Sequence, residues 1–413
     1  MKKLLQQAMI DRLIALTLLV SALGYFVDIF DLLLFSIVRV QSLKDLGVAE
    51  ADLLTVGIQL LNAQMAGLLL GGLVWGVIGD KYGRVSVLFG SILFYSLASI
   101  GNGFVTDVGQ YALLRFISGL GLAGELGICV TLASELLPRA VRGLGTTFIA
   151  TIGVLGAAAA ALVADRVGWR DAYIIGGVMG LALLVLRLKV RESGLYLKMA
   201  EEKKDMKRGK LSLFFLKPDL LRRYITVVLI GAPIWAVVGI FITFTPEFAK
   251  DFGMTVLPDT GTAVLYCYIG LAFGDMFSGL LSQYLGSRRK SIAFSLCLLL
   301  AFTGLFVTVR SDSLAVYYGL CWLLGVGAGY WAMFVQVGAE QFGTNLRATA
   351  ATSIPNIVRG LTIPMAAGFH ALIPALGVTG GGLMVVTLAI ALAFAALWQV
   401  RETFHADLDY LDL

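Results

Sequence analysis

Residues 53–84 read LLTVGIQLLNAQMAGLLLGGLVWGVIGDKYGR, an apolar run that ends in a short charged turn. Residues 53–78 contain no charged side chain, and a helix of roughly 20 apolar residues is long enough to cross a bilayer. A transmembrane β-strand would instead alternate apolar and polar residues over about 10 positions, which this run does not do. The stretch therefore predicts a membrane-spanning helix followed by a tight polar turn.

Comparable apolar runs recur through the rest of the chain. Of its 413 residues 58% are hydrophobic and only 14% are charged, whereas about a quarter of the residues of a soluble protein carry charge. We predict twelve spans, near residues 13–39, 53–78, 86–105, 111–136, 144–164, 172–190, 224–246, 261–284, 291–309, 314–338, 348–373 and 378–400. The predicted fold class is an all-α membrane protein, which excludes a soluble enzyme, a nucleic-acid-binding protein and a secreted disulfide-rich protein.

The positions of lysine and arginine predict the orientation of the spans, because cytoplasmic loops retain these residues. Turns that follow even-numbered spans carry pairs such as Lys81 with Arg84 and Arg288 with Arg289, while the other turns carry fewer basic residues. We therefore expect both termini in the cytoplasm, at a plasma membrane or a bacterial inner membrane. The net charge of +5 is then explained by the basic residues of the cytoplasmic loops, and it does not indicate binding of nucleic acid.

One long polar stretch separates two groups of six spans. It runs from Arg191 to Arg223 and contains EEKKDMKRGK at 201–210, a composition typical of an amphipathic or flexible linker. The predicted organisation is an N-terminal bundle at 1–190, a cytoplasmic linker at 191–223 and a C-terminal bundle at 224–413. The charged first residues resemble the start of a signal peptide, but no small-residue cleavage site follows and the next apolar run is long enough to span the bilayer, so this run is assigned as span 1.

The second half repeats landmarks of the first at an offset of about 205 residues. GVIGDKYGR (76–84) corresponds to GLLSQYLGSRR (279–289), and GLGLAG (119–124) corresponds to GVGAG (325–329). VRES (190–193) after span 6 likewise corresponds to VRET (400–403) after span 12. Such a repeat predicts two six-helix halves related by duplication, an arrangement that secondary transporters use around a site near the membrane midplane.

The motifs also carry a family resemblance. GVIGDKYGR, RFISGLG (115–121), SELLPRAVRG (134–143) and VRES resemble the major facilitator superfamily over the whole chain. DIFD (28–31) and NIVRG (356–360) further resemble the aromatic-acid and metabolite–proton symporters within it. GELG (124–127) is similar to sugar porters as well, although span 7 lacks their paired glutamines. The resemblance implies the major facilitator fold and the proton-coupled transport of an organic metabolite.

Ionisable residues inside the spans are the first candidates for function, because charge at bilayer depth is costly. Asp28 and Asp31 lie on one face of span 1, near or just beyond the midplane. Two carboxylates in a cavity of low dielectric favour the uptake of a proton by one of them. Alternatively, one aspartate caps a broken helix or pairs with an arginine. Glu125 in span 4 is a further candidate, either for the proton or as a hydrogen-bond acceptor for substrate.

Two buried arginines are candidates for substrate binding. Arg359 in span 11 has no carboxylate in its own helix, so a substrate carboxylate could pair with its guanidinium, with Asp275 as the competing partner. Arg115 in span 4 could pair with an aspartate of span 1, either as a gate or permanently. Aromatic and amide side chains would complete the substrate site unless they serve only in packing: Trp235, Tyr330, Trp331 and Gln336.

The loop motifs predict a separate cluster that holds the cytoplasmic side closed. Its candidate residues are Gly76, Asp80, Gly83, Arg84, Glu135, Arg142, Glu340 and Arg347. Gly76 allows close helix packing, Gly83 supports the turn, and Asp80 can cap the adjacent helix or accept hydrogen bonds from arginine.

The two halves differ in this cluster. The repeat matches Glu135 and Arg142 of the first half to Glu340 and Arg347 of the second, and each couple lies at a depth that would complete its cluster. The second half has a glutamine, Gln283, where the first half has its aspartate. We therefore expect the lock to be stronger on the N-terminal side.

These observations predict a monomeric, proton-coupled secondary transporter that moves a small organic carboxylate inward and needs neither a cofactor nor a metal. The four cysteines lie in predicted spans without CxxC spacing, so disulfides and metal sites are not expected. An exporter of amphiphilic or cationic compounds by proton antiport, or a passive uniporter, would use the same scaffold. A substrate sensor is disfavoured because the tails are short, and an intramembrane enzyme because no HExxH or GxSxG motif stands in a span.

Overall fold

The computed structural model describes residues 2–138, 141–188, 217–406, 410 and 412, and it describes Arg142 by its backbone only. Within these ranges every regular element is a helix. Eleven helices of this part are long and apolar enough to cross a membrane, and the last, Arg347–Gln399, contains two spans. The prediction of an all-helical membrane fold with twelve spans is confirmed.

The described residues of the first half form six spans. Span 1 is Lys2–Asp45, followed by a single 3-10 turn at Glu50–Asp52. Span 2 is Leu53–Tyr82, span 3 is Arg84–Asn102, and span 4 consists of two helices, Val108–Leu122 and Glu125–Leu136. Span 5 is Arg142–Val167 and span 6 is Trp169–Arg187.

The described residues of the second half form the other six spans. Span 7 is Pro218–Ala236 with a π-helical continuation, Val237–Ile242, and a short helix, Thr245–Asp251, follows it. Spans 8 and 9 are Thr260–Leu285 and Arg288–Thr308, and span 10 consists of Leu314–Ala328 and Trp331–Glu340. Span 11 begins with Arg347–Gly360, and Thr362–Gln399 completes it and includes span 12 after a turn at Gly377 (φ 69°).

The helix of span 7 begins earlier than the sequence predicted. It starts at Pro218 rather than near 224, because proline is well suited to the first turn of a helix, where its missing N–H group costs nothing. Part of the predicted linker is therefore helical, and residues 191–216 of it lie outside the described residues.

Spans 4 and 10 break at their matching glycine motifs. A Cβ atom on Gly121 would lie 2.5 Å from the backbone nitrogen of Tyr95, and one on Gly329 would lie 2.4 Å from the Cα of Gly274. Neighbouring helices therefore approach too closely for any side chain there, and glycine also weakens the helix. As a result Glu125 and Trp331 each stand at the first turn of a new helix, and such discontinuous helices are typical of secondary transporters.

The two halves meet along seams where span 2 packs against span 11 and span 5 packs against span 8. A Cβ on Gly76 would lie 2.7 Å from the Cα of Thr349, and one on Gly127 would lie 2.3 Å from the Cα of Thr352. These glycines allow backbone-to-backbone contact between the halves. Below, "the basic end" denotes the end of the bundle at which Arg84, Arg288 and Arg347 begin their helices.

Candidate functional site

A carboxylate and a guanidinium meet at the centre of the interface between the halves. Asp28 of span 1 is fully buried, and Arg359 of span 11 is 1% exposed. Nη2 of Arg359 lies 3.9 Å from Oδ2 of Asp28, which is close enough for an ion pair but too long for a hydrogen bond. Among the described residues, neither oxygen of Asp28 has a hydrogen-bond partner, and Nε and Nη2 of Arg359 have none. The pair therefore retains hydrogen-bonding capacity for a third group.

Aromatic rings and one amide hold Arg359 in place. Its Nη1 donates a hydrogen bond of 3.1 Å to Oδ1 of Asn356. Its guanidinium carbon lies 5.8 Å from the ring centre of Trp235 and 5.6 Å from that of Trp331, both within the range of a cation–π contact. The two indoles contact each other at 6.4 Å in an edge-on arrangement. Three elements of the C-terminal half thus fix the cation against span 1 of the other half.

Asp275, the competing partner, has a different contact. Its Oδ1 accepts a hydrogen bond of 3.0 Å from the backbone N–H of Ala332, so it caps the second helix of span 10, whose N-terminus favours negative charge. Within the described residues it forms no ion pair with Arg359. The alternative of an Arg359–Asp275 pair is therefore wrong for this structure, because the carboxylate of Asp275 is engaged at the first turn of the second helix of span 10.

Tyr25 belongs to the central site although the sequence analysis did not select it. The Nε1 of Trp331 donates a 2.9 Å hydrogen bond to its hydroxyl. A Cβ on Gly153 of span 5 would lie 1.9 Å from the tyrosine ring, so glycine makes room for it. The i, i+3 spacing of Tyr25 and Asp28 is the signal that would have found it.

The central pocket is small in this structure. Tyr25, Trp235, Trp331 and Arg359 line it, and its volume is about 10 Å³. A single water needs about that much space, so the side chains have closed around the site. Of the predicted substrate residues, Arg359, Trp235 and Trp331 are thus brought together.

Asp31 faces the interior of the N-terminal half. Its two oxygens accept hydrogen bonds of 2.5 Å from the hydroxyl groups of Ser99 in span 3 and Ser118 in span 4. The two aspartates of span 1 therefore differ in environment, since Asp31 accepts two hydrogen bonds and Asp28 accepts none from the part of the chain that the structure describes.

Arg115 is buried without a hydrogen-bonding partner. Its guanidinium carbon lies 5.2 Å from the ring of Phe35 and 5.7 Å from that of Tyr173, and none of its three nitrogens has a hydrogen bond among the described residues. The ion pair that the sequence suggested between Arg115 and an aspartate of span 1 is not formed in this conformation. The residue does not line the central pocket, and its role in substrate binding stays a prediction.

Glu125 pairs with an arginine that the sequence analysis did not select. Arg187 of span 6 donates to both carboxylate oxygens, at 2.9 Å for the Nη1–Oε2 contact, and both side chains are buried. The thiol of Cys129 donates to the same carboxylate. A Cβ on Gly24 would lie 1.9 Å from Nη2 of Arg187, so a glycine of span 1 leaves space for the pair. This ion pair links spans 4 and 6 inside the first half.

The two other predicted substrate residues of span 10 point elsewhere. The hydroxyl of Tyr330 donates to the carbonyl of Ile230 at 2.9 Å, and Nε2 of Gln336 donates to Glu340 at 2.7 Å. Neither lines the central pocket. Their contacts stabilise the C-terminal half.

At the basic end, Asp80 caps a helix of the opposite half. Its carboxylate accepts hydrogen bonds from the backbone N–H groups of Ala348 (3.1 Å) and Thr349 (2.8 Å) and from the hydroxyl of Thr349 (2.6 Å). It also lies 3.6 Å from Arg84. The carboxylate therefore satisfies the first turn of span 11 and holds spans 2 and 11 together.

Glu135 joins arginines from both halves. Its Oε1 accepts from Arg84 at 3.0 Å and from Arg347 at 2.9 Å. Arg84 also donates to the carbonyl of Thr344, at 3.1 Å, in the loop between spans 10 and 11. Since Arg347 belongs to the second half, this cluster crosses the interface.

The three remaining residues of the predicted cluster have different outcomes. Arg347 joins the cluster of Glu135, whereas Glu340 lies 3.8 Å from Nε of Arg288. The side chain of Arg142 lies outside the described residues.

The second seam has a weaker version of the same arrangement. Gln283 occupies the place that corresponds to Asp80, next to Gly143 at the start of span 5. Its Nε2 has no hydrogen-bond partner within the described ranges, whereas Asp80 accepts three hydrogen bonds. Gly83 turns the chain with a positive φ of 101°, which only glycine adopts readily. Asp80 and Glu135 thus join the two halves at the basic end, and the greater strength of the N-terminal side stays a prediction.

We expect the Glu135→Gln substitution to open the basic end. A hydrogen bond to a charged group is worth about 1.5 to 3 kcal/mol, so loss of the charge should lower the ratio of closed to open molecules by about tenfold or more. The reporter is a Thr352→Cys substitution in a Cys297→Ser background, because Thr352 is buried in the seam and Cys297 is the exposed native cysteine. Labelling of this cysteine by a polar maleimide should rise several-fold.

The control for this experiment is Asp165→Asn, which makes the same kind of change at an exposed carboxylate of span 5. It should leave the labelling rate unchanged. If the cysteine of Thr352→Cys is labelled at the same rate with and without the Glu135→Gln substitution, the cluster does not hold the basic end closed.

Comparison with known proteins finds one family of transporters. Residues 15–367 match the profile of the Major Facilitator Superfamily. A putative metabolite transport protein of Haemophilus influenzae is 29% identical over 83% of this chain and 84% of its own length. The sialic acid transporter NanX of Escherichia coli is 28% identical over 89% of each chain, and the gentisate transporter of Corynebacterium glutamicum is 24% identical over 92% of this chain and 88% of its own.

A solved structure shares the fold. The proton:xylose symporter XylE, bound to 6-bromo-6-deoxy-D-glucose, superposes with a TM-score of 0.74 at 16% identity, over 97% of this chain and 98% of that one. At this identity the likeness concerns the fold alone.

Proposed function

The chain belongs to the major facilitator superfamily and is a multi-pass membrane transporter, and we propose that it imports a small organic carboxylate together with a proton. The observation that carries the proposal is the buried pair of Asp28 and Arg359, which come from opposite halves and lie 3.9 Å apart with unused hydrogen-bonding capacity. The names of the relatives agree with this substrate class, since sialic acid, gentisate, 4-hydroxybenzoate and niacin are all carboxylic acids.

The chemistry of the pair favours simultaneous binding of substrate and proton. While Asp28 is ionised, its charge offsets that of Arg359, and a second carboxylate in the same buried pocket would be strongly disfavoured. A proton on Asp28 removes the competing anion and leaves the guanidinium free to hold the substrate through two parallel hydrogen bonds. The loss of either ligand then weakens the binding of the other, which is the requirement for symport.

The distribution of charge supports an orientation in which the basic end faces the cytoplasm. The basic end is assigned to the cytoplasm because lysine and arginine are retained there. With this end closed by Asp80 and Glu135, we take the opposite, external side as the path by which substrate reaches the central pair. Opening of the seam at the basic end would release substrate and proton inward, while Asp31 and Glu125 remain candidates for sharing the proton.

The proposal is tested with purified protein and four acids: 4-hydroxybenzoate, gentisate, nicotinate and N-acetylneuraminate. At least one should raise the melting temperature in detergent, because a ligand that binds the folded state stabilises it. The same acid should accumulate in proteoliposomes when the outside is made acidic. Uptake that equilibrates but never exceeds the outside concentration would indicate a uniporter, and selective binding of organic cations would indicate an exporter.

A further inference from the structure

A second cavity lies between the halves, on the side of the central pair away from the basic end. Its volume is about 50 Å³, and it is lined by spans 1 and 2 of the first half and by spans 7, 8 and 11 of the second. It shares Trp235 and Val238 with the central pocket. The cavity therefore adjoins the central pocket, on its side away from the basic end.

This outer cavity contains a cation that none of the predicted roles uses. Arg39 of span 1 is one of its lining residues, together with the hydroxyl-bearing Ser36, Thr243 and Thr260. A Cβ on Gly57 of span 2 would lie 2.6 Å from Cδ of Arg39, so glycine provides the space in which the arginine side chain lies.

Arg39 has no close counter-ion. Within the described ranges its guanidinium forms neither a hydrogen bond nor an ion pair within 4.0 Å, and the charged group that acts on it from a distance is Glu247, in the short helix after span 7. A cation in a cavity with walls of low dielectric raises the local concentration of anions. The hydroxyl groups around it offer further hydrogen bonds to a carboxylate.

We propose that Arg39 forms an outer anion-binding subsite, at which a small organic carboxylate pairs before it moves inward to Arg359. The inference rests on the proposed function, because it takes the same substrate class and the same external access. Glu247 belongs to the opposite half and competes for the guanidinium, which keeps the subsite weak enough to release its anion. The two arginines thus act in sequence along one path.

The test uses the acid, out of the four, that wild-type protein accumulates in proteoliposomes when the outside is acidic. The kinetics of its uptake are then measured for each variant. Arg39→Gln should raise KM about fivefold with kcat within about twofold, since loss of a charge at the rim of a site acts mainly on capture. Arg39→Lys should restore most of the affinity. Glu247→Gln should lower KM, because the competing carboxylate is gone. The decrease of uptake rate with ionic strength should be smaller in Arg39→Gln than in wild type.

Lys250→Gln is the matched control, because it removes an exposed cation of the same end that does not line the cavity. It should leave KM unchanged. An Arg39→Gln protein with wild-type KM and salt dependence would overturn the subsite while leaving the proposed function intact, and so would a loss of kcat alone. A wild-type protein that accumulates none of the four acids overturns the proposed function and the subsite with it.

Discussion

Replacement of Asp28 by asparagine is expected to abolish the accumulation of carboxylate under an imposed pH gradient, while exchange of substrate across the membrane continues. Asparagine keeps the shape of the side chain but cannot bind and release a proton. Arg359 then lacks its anionic neighbour, which lies 3.9 Å away in the native protein, and a buried cation without a counter-ion attracts the substrate anion. Substrate should therefore bind at least as tightly as in wild type but without a proton.

The two activities are measured on the same proteoliposomes. Accumulation is followed after the outside is made acidic, and exchange is followed with labelled substrate outside and unlabelled substrate inside. Asp165→Asn, a substitution of an exposed carboxylate, should accumulate substrate like wild type. Accumulation by Asp28→Asn at the wild-type level would place the proton elsewhere.

The Asp31→Asn substitution tests whether the second carboxylate of span 1 also carries the proton. The oxygens of Asp31 accept hydrogen bonds from Ser99 and Ser118, and an asparagine amide can accept at only one of these positions. A loss of accumulation in this variant too would show that the aspartates share the coupling task. If both variants keep full gradient-driven accumulation, the assignment of the proton to span 1 is wrong.

The overall fold was accessible from the sequence because length, apolarity and repetition determine it. The spans follow from runs such as 53–78, and the two halves follow from the matching of GVIGDKYGR with GLLSQYLGSRR. The breaks of spans 4 and 10 were not predicted, although their glycines had been noted. A glycine motif favours close helix packing and helix interruption alike, and only the neighbouring backbones, such as that of Gly274 beside Gly329, decide between them.

Most residues of the candidate site could be predicted from the sequence, but the contacts between them could not. The cost of burying charge selects Asp28 and Arg359 from the sequence alone. Their contact with each other was missed, because position along a helix gives depth and leaves open which face meets the opposite half. For the same reason Glu125 was assigned without Arg187, its partner in span 6. Pairings across helices depend on helix rotation, which a single sequence does not encode in any local pattern.

Replacement of Arg359 by glutamine is expected to remove the binding of the substrate carboxylate. Loss of one partner from a buried, hydrogen-bonded charge pair costs about 2 to 5 kcal/mol, so affinity should fall by a factor of about 30 or more. Asp28 would then lack its cation and would remain protonated, because an unpaired buried carboxylate is strongly disfavoured. The folded state should thus lose little stability, since the proton removes the uncompensated charge.

A neutral amide of the same shape as the substrate tests whether the charge of the carboxylate is recognised. If 4-hydroxybenzoate is the substrate, this amide is 4-hydroxybenzamide. Wild type should bind the acid far better than the amide, and Arg359→Gln should bind both with similar, low affinity. Arg359→Lys keeps the charge but loses the planar fork that contacts Asn356 and the two indoles, so it should recover only part of the affinity. An Arg359→Gln protein that still prefers the acid over the amide would show that another cation holds the carboxylate. Arg115 would then be the first alternative, because it is fully buried and none of its three guanidinium nitrogens has a hydrogen bond among the described residues.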